Sequence, residues 1–150
     1  MPSTLDARST PSAPAPHGKT IRVTREHDAL IRVTVNGSVT DDDFKEYLVE
    51  SDRIVARGKA YVLIYDVVAG LEVSPVQRSQ QSDWINRNRT NLRQLCRGAV
   101  FAMPSPVMRG VLTAVLWVSP LPFETKTVST VTEAERWASE RLRQAGLLGA

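Results

Sequence analysis

Cysteine, histidine and glycine are all scarce in this 150-residue chain. Cys96 is the only cysteine, so no intramolecular disulfide and no cysteine-built metal cluster can form, and a reducing, cytoplasmic setting is expected. His17 and His27 are the only histidines, and neither has a partner at ligand spacing, so no metal site is expected. The same shortage leaves no Ser/His/Asp set and no Gly-x-Ser-x-Gly elbow. The eight glycines form no phosphate-cradling loop. With no catalytic constellation in view, the chain reads as a non-enzyme without a cofactor. Long hydrophobic runs are missing too. The most apolar stretch, residues 99–123, is broken by Pro104, Pro106, Arg109, Pro120 and Pro122. What remains unbroken falls short of the ~20 residues that span a bilayer, and reads as a buried core segment.

What is present begins with a tail. Residues 1–19 hold four of the nine prolines and almost no large apolar side chain. They lack the apolar region of a secretory signal and read as a disordered leader. Residues 145–150 read as a frayed end. Between them, residues 20–144 form one domain.

Residues 20–25 and 30–36 carry β-branched side chains in near-alternation, with Ile31, Val33 and Val35 on one face. With a turn at Glu26-His27-Asp28 they predict a hairpin. Thr40 with Asp43 opens a first helix, which Gly58 closes. Residues 60–66 are continuously apolar up to Asp66, as in a strand covered on both faces. Ser74-Pro75 with Gln77 starts a second helix, expected to run to about Leu95 on a thin apolar stripe that Asn88 interrupts, with Gly98 as its stop. Residues 99–103 predict a short strand and Ser105-Pro106 a third helix, apolar nearly all round. Residues 124–128 predict a last strand, and Thr130 with Glu133 the closing helix. The order ββαβαβαβα gives an α/β domain: a mixed, mostly parallel sheet of four to five strands with four helices and one antiparallel edge strand.

This order resembles the SpoIIAA-like/STAS group over residues 20–144. The local features that match are Val39-Thr40-Asp41-Asp42-Asp43-Phe44, Leu63-Ile64-Tyr65-Asp66 and Val131-Thr132-Glu133-Ala134-Glu135-Arg136-Trp137. The resemblance implies a regulatory domain whose switch is a serine at the start of the helix after the Asp-ended strand, phosphorylated by a partner kinase. Here that neighbourhood reads Val73-Ser74-Pro75-Val76, without the Asp before the serine or the Gly after it. The related CRAL-TRIO fold adds a second implication, binding of a ligand or lipid.

Four side chains stand out as partner- or ligand-binding candidates. Ser74 is either a plain N-cap or a phosphate acceptor facing the helix dipole with Arg78 one turn on. Asp66 lies where open α/β sheets gather ligands, or else caps the following loop. Arg109, at the dipole end that does not favour a cation, reads as an anion ligand or as a charged head on a buried stem.

Charge is unevenly spread. Residues 20–73 hold seven basic and ten acidic side chains, and residues 74–98 hold five and one. The arginines Arg78, Arg87, Arg89, Arg93 and Arg97 have only Trp84 as an interleaved aromatic, which argues against nucleic acid as a partner. The balance fits steering of a protein partner or of a second copy, so a homodimer is expected. The leading expectation is a regulatory protein-interaction module. The alternative is a small-ligand or lipid-binding domain, with Arg109 at the mouth of a pocket for an anionic amphiphile.

Overall fold

Alternation and two-faced burial in the strands set the layers. A computed structural model describes residues 19–148. The expected leader through residue 18 and the last two residues lie outside the described residues. The elements are β1 (Ile21–His27), β2 (Leu30–Ser38), α1 (Asp41–Ala56), β3 (Tyr61–Glu72), α2 (Pro75–Arg87), α3 (Arg89–Leu95), β4 (Cys96–Ala102), α4 (Pro106–Val118), β5 (Thr125–Val128) and α5 (Val131–Gln144). The sheet order is β1-β2-β3-β4-β5. β1 is the antiparallel edge, and every other neighbouring pair is parallel. The mixed, mostly parallel α/β architecture is therefore as the periodicity predicts.

Odd-numbered residues of β2 and β3 (Ile31, Val33, Val35, Tyr61, Leu63) join Phe44 and Tyr47 of α1 in one core. Even-numbered Val62 and Ile64 face the other way and pack with Val100 on Ala134, Ala138 and Leu142 of α5. Parallel neighbours need such crossovers, and strands buried on both faces lose the polar alternation, as residues 60–66 do.

Several boundaries differ from expectation. The β1–β2 turn lies at Asp28-Ala29, with β1 reaching His27. β3 does not end at Asp66. Beyond the point where β4 pairing stops, it continues to Glu72 against β2 alone, through an irregularity between Val35 and Gly37. Five helices form where four are expected, because the second one breaks at Asn88. The Asn88 side chain donates to the Trp84 carbonyl at 3.0 Å, and its backbone leaves helical geometry (φ −107°, ψ 13°). A short polar side chain that takes a nearby carbonyl competes with helix continuation. At the C-terminus, the turn after α5 is tied back onto the helix as far as Leu147. Gly146 N–H donates to Arg143 O and Leu147 N–H to Leu142 O, a Schellman closure that seats Leu147 on the α5 core.

The largest correction concerns the apolar segment. Its first part, β4, is buried as expected, but α4 contains no buried residue. Val107, Trp117 and Val118 are 75%, 84% and 86% exposed. α4 reaches the core through the partly buried Met108 and Leu112 only. Its neighbour β5 is four residues long and offers little surface to cover the rest.

Gly98 is not a helix stop but a residue within β4, at φ +147°. A Cβ there would lie 2.8 Å from Cη2 of Trp137, whose ring carries the Arg141 guanidinium 5.1 Å from its centroid. Gly98→Ala is expected to destabilise the fold by roughly 1–3 kcal/mol, through backbone strain and overpacking. A lowered urea midpoint at unchanged slope would show it; an unchanged midpoint would refute the contact.

Candidate functional site

The inner face of α2 is unusual for a core-facing helix. Positions 77, 81, 84 and 88 line one face at helical spacing, and they are Gln, Gln, Trp and Asn. Each makes a specific hydrogen bond. The Gln77 amide, 2% exposed, donates to Val39 O and to Asp41 Oδ1, both at 2.9 Å. Gln81 Nε2 donates to the Tyr47 hydroxyl at 3.1 Å. Trp84 Nε1 donates to Asp52 Oδ1 at 2.7 Å. α2 is thus tied to α1 by polar contacts, and its apolar surface is free to border a cavity.

That cavity is a cleft of about 350 Å³. Its floor is the sheet face carrying Tyr65 and Phe101, stacked at 4.7 Å. α2 contributes Gln81 and Ile85 to its walls, and α4 contributes Leu112 and Leu116. The volume lies within the ~300–1,000 Å³ range of small-molecule sites. A second, smaller space of about 50 Å³ lies under Trp84 and Leu92. Tyr47, Tyr65 and Gln81 line both spaces, so this polar group stands between them. The Tyr47 and Tyr65 hydroxyls are 3.0 Å apart. Gln81 Oε1 is buried and has no hydrogen-bond partner among the described residues.

The electrostatics of the group are neutral. Burial pushes both phenols up, Tyr47 above its ordinary value and Tyr65 well above it, so both stay protonated at neutral pH. Cys96, the other buried nucleophile, is pushed by burial up to about 12.

The sequence-derived candidates are not gathered at one point. Asp66 is on the opposite face of the sheet, beside Arg32 Nη1 at 3.6 Å. Arg32 also holds Glu26 through two hydrogen bonds and Glu135 through one at 2.8 Å. Burial raises the Asp66 pKa, and the guanidinium opposes that rise. Ser74 caps α2: its hydroxyl accepts from Gln77 N–H at 3.0 Å, and Gln77 returns the bond. Arg78 borders the cleft, with its guanidinium donating to Val73 O at 3.2 Å. Arg109 turns back on the end of β4 and donates to Met103 O at 2.7 Å and Pro104 O at 3.2 Å. It is therefore not at the mouth of the α2–α4 cleft. Arg78, Arg87, Arg93 and Arg97 are exposed, while Arg89 is half-buried and bonds Asn86.

Sequence reasoning missed Tyr47, Tyr65 and Gln81. Both tyrosines lie in apolar patterns that read as core. The available signal was the i, i+4, i+7 run Gln77, Gln81, Trp84, which places two amides on the buried side of a helix. Among the described residues, no group of three His, Cys, Asp or Glu is placed to hold a metal, and no helix is long and apolar enough to cross a membrane.

No protein-family model matches the chain, and no curated protein does. Among solved structures, an uncharacterized protein of the DUF3478 family from Shewanella loihica PV-4, described as having a SpoIIAA-like fold, superposes with a TM-score of 0.63 at 14% identity. The match covers 85% of this chain and 99% of that one. The fold is SpoIIAA-like. The resemblance drawn from element order is thus shown at the level of fold, and identity this low carries nothing further about activity.

Two outcomes follow from the site's contacts. Gln77→Ala leaves the Val39 carbonyl buried without its donor and is expected to cost roughly 1–3 kcal/mol in chemical denaturation; a neutral substitution would show that the seam does not hold α2. Cys96 is expected to resist a thiol reagent at pH 8 in the native protein and to react fully in denaturant. Rapid labelling of the native protein would show that the thiol is not sheltered.

Proposed function

We propose that this domain is a non-enzymatic module that binds a small apolar molecule in the cleft between α2 and α4. The observation that carries the reading is an apolar cleft of small-molecule size, floored by Tyr65 and Phe101 and walled by Ile85, Leu112 and Leu116. Concave, mostly apolar spaces of this volume are where small molecules commonly bind. The site's chemistry supports binding without reaction. Its hydroxyls are firmly protonated phenols, and among the described residues no carboxylate or histidine lines the cleft to take a proton from them.

A second reading, a regulatory interaction module that meets a protein partner or a second copy, is favoured by the exposed apolar side of α4. Val107, Val111, Val115 and Val118 are all more than half exposed there. Patches of this kind mark contact surfaces in soluble proteins. A phosphate on Ser74 belongs to this reading. It would replace the capping hydroxyl at the start of α2, close to Arg78, and phosphorylation would be seen as an added mass on that residue in protein from its native cell.

Native mass spectrometry of gently purified protein and thermal melting with a panel of medium-chain alkyl compounds test the first reading. A co-purifying small molecule or a rise in Tm of several degrees is expected. The Leu112→Trp variant, which fills the cleft, should abolish the rise while still melting cooperatively. A panel that moves nothing, with no bound mass, would refute ligand binding. If the protein then sediments as a dimer that Val111→Glu dissociates, the second reading takes its place.

A further inference from the structure

Resting on the interaction reading of α4, we infer that its partner is a second copy of this chain. The two copies pair through α4, antiparallel about a two-fold axis, with Val107 and Val111 of each set against Val118 and Ala114 of the other.

The solvent side of α4 leads to this. Met108, Leu112 and Leu116 turn toward the core and the cleft. Val107, Val111, Ala114 and Val118 are all exposed, and they fall four, three and four residues apart. That is the spacing of a seam between two paired helices, and it keeps the four side chains on one line along the whole of α4. No charge lies on the line. Arg109, the only ion of α4, turns back to Met103 O and Pro104 O. Two copies therefore meet there without setting like charges together.

The spacing is also the same from both ends, as an interface that must match itself requires and a face built for a different protein does not. Turned antiparallel, Val107 meets Val118 and Val111 meets Ala114, each twice. Gly110 and Trp117 flank the line on one side, seven residues apart. In the antiparallel pair these flanks face one another, so that Trp117 of one copy rests over Gly110 of the other. A Cβ at Gly110 would meet nothing within 4 Å, which leaves room for the indole.

The area agrees with a pair and sets its strength. Val107, Val111, Trp117 and Val118 are 75%, 56%, 84% and 86% exposed, and together present on the order of 500 Å² per copy. A pair buries about 1,000 Å² in all, at the lower bound for specific association. The dimer is accordingly concentration-dependent rather than permanent.

Sedimentation of the full chain over a wide range of concentration, joined to cysteine crosslinking, tests the pairing. Monomer at low concentration and dimer at high concentration are expected. Cys96 is buried and its thiol is pushed up to about 12, so a cysteine introduced on α4 is the reactive one. Val107→Cys and Val118→Cys should crosslink under mild oxidation only when mixed. Alone, each places its two thiols about 16 Å apart along the axis, beyond the reach of a disulfide. Val111→Glu and Ala114→Arg, both at exposed positions, should keep the wild-type Tm and each weaken the dimer at least tenfold. An equimolar mixture of the two should recover it, because the new charges then face each other. A chain that stays monomeric at every concentration overturns the second copy as partner and leaves the interaction reading to a different protein. If vesicles of phosphatidylcholine and phosphatidylglycerol then shift tryptophan emission to the blue, and Trp117→Phe loses the shift, the face belongs to a lipid surface instead. A dimer that neither charged variant weakens overturns the inference and the interaction reading of α4 together. A dimer that both dissociate, but in which Val107→Cys crosslinks to itself, keeps that reading and overturns the antiparallel pairing.

Discussion

The polar attachment of α2 is the constraint on which the rest of this face depends. A helix that packs on a sheet usually buries an apolar stripe and closes the space beneath it. Here the inward positions are Gln77, Gln81, Trp84 and Asn88, and three of them reach residues of α1 or the loop before it. Trp84 reaches a carboxylate on α1, and charge-assisted bonds of that kind contribute about 1.5–3 kcal/mol each. α2 is held at a set height by bonds to its neighbour. The sheet face next to it, around Tyr65 and Phe101, is left to be covered by something else.

What stands opposite is α4, and it covers that face incompletely. Its sequence is apolar on every side, so it has no strong preference for which residues turn inward. Met108, Leu112 and Leu116 are partly buried, while Val107, Val111 and Val118 meet solvent. A helix bound through so little area is drawn from the low-stability part of a fold, where binding elements are commonly found. One wall of the cleft is thus fixed by hydrogen bonds and the other is attached through a few apolar contacts.

The strands, the antiparallel edge and the capping boxes were legible in the sequence because each rests on local spacing. Ile31, Val33 and Val35 alternate, Ser74 and Thr130 have their Gln and Glu three residues on, and both caps form as spaced. The helix break at Asn88 was half legible. The interruption of the stripe was visible, but the bond to the Trp84 carbonyl was not. Asp66 was misplaced because an apolar run ending in a carboxylate looks like the end of a strand, whereas β3 runs on through Leu71 against β2 alone. The burial of α4 was misjudged for a different reason. A helix that is apolar all round is ordinarily buried, and only the shortness of β5 and the strand order show that no layer among the described residues covers it. The polar group between the two spaces was the least legible of all. Tyr47 and Tyr65 belong to different elements, and nothing in their own patterns distinguishes a hydroxyl facing a cavity from one in a closed core.

Placing the site on the interior of the helix layer also separates it from the chain's charge. The ion-pair cluster of Arg32 with Glu26, Asp66 and Glu135 is on the other face of the sheet, and the arginines of α2 and α3 are largely exposed. Salt screens exposed charges within about 10 Å at ordinary ionic strength, so they act on how the domain meets other molecules. They act little on a neutral group set under two helices. Recognition within the cleft therefore depends on shape and apolar contact, while the acidic first half and basic second half govern approach to other macromolecules. The two kinds of contact can vary independently in this fold, because Arg78, at the cleft's border, is the one charged side chain among the described residues that lines it.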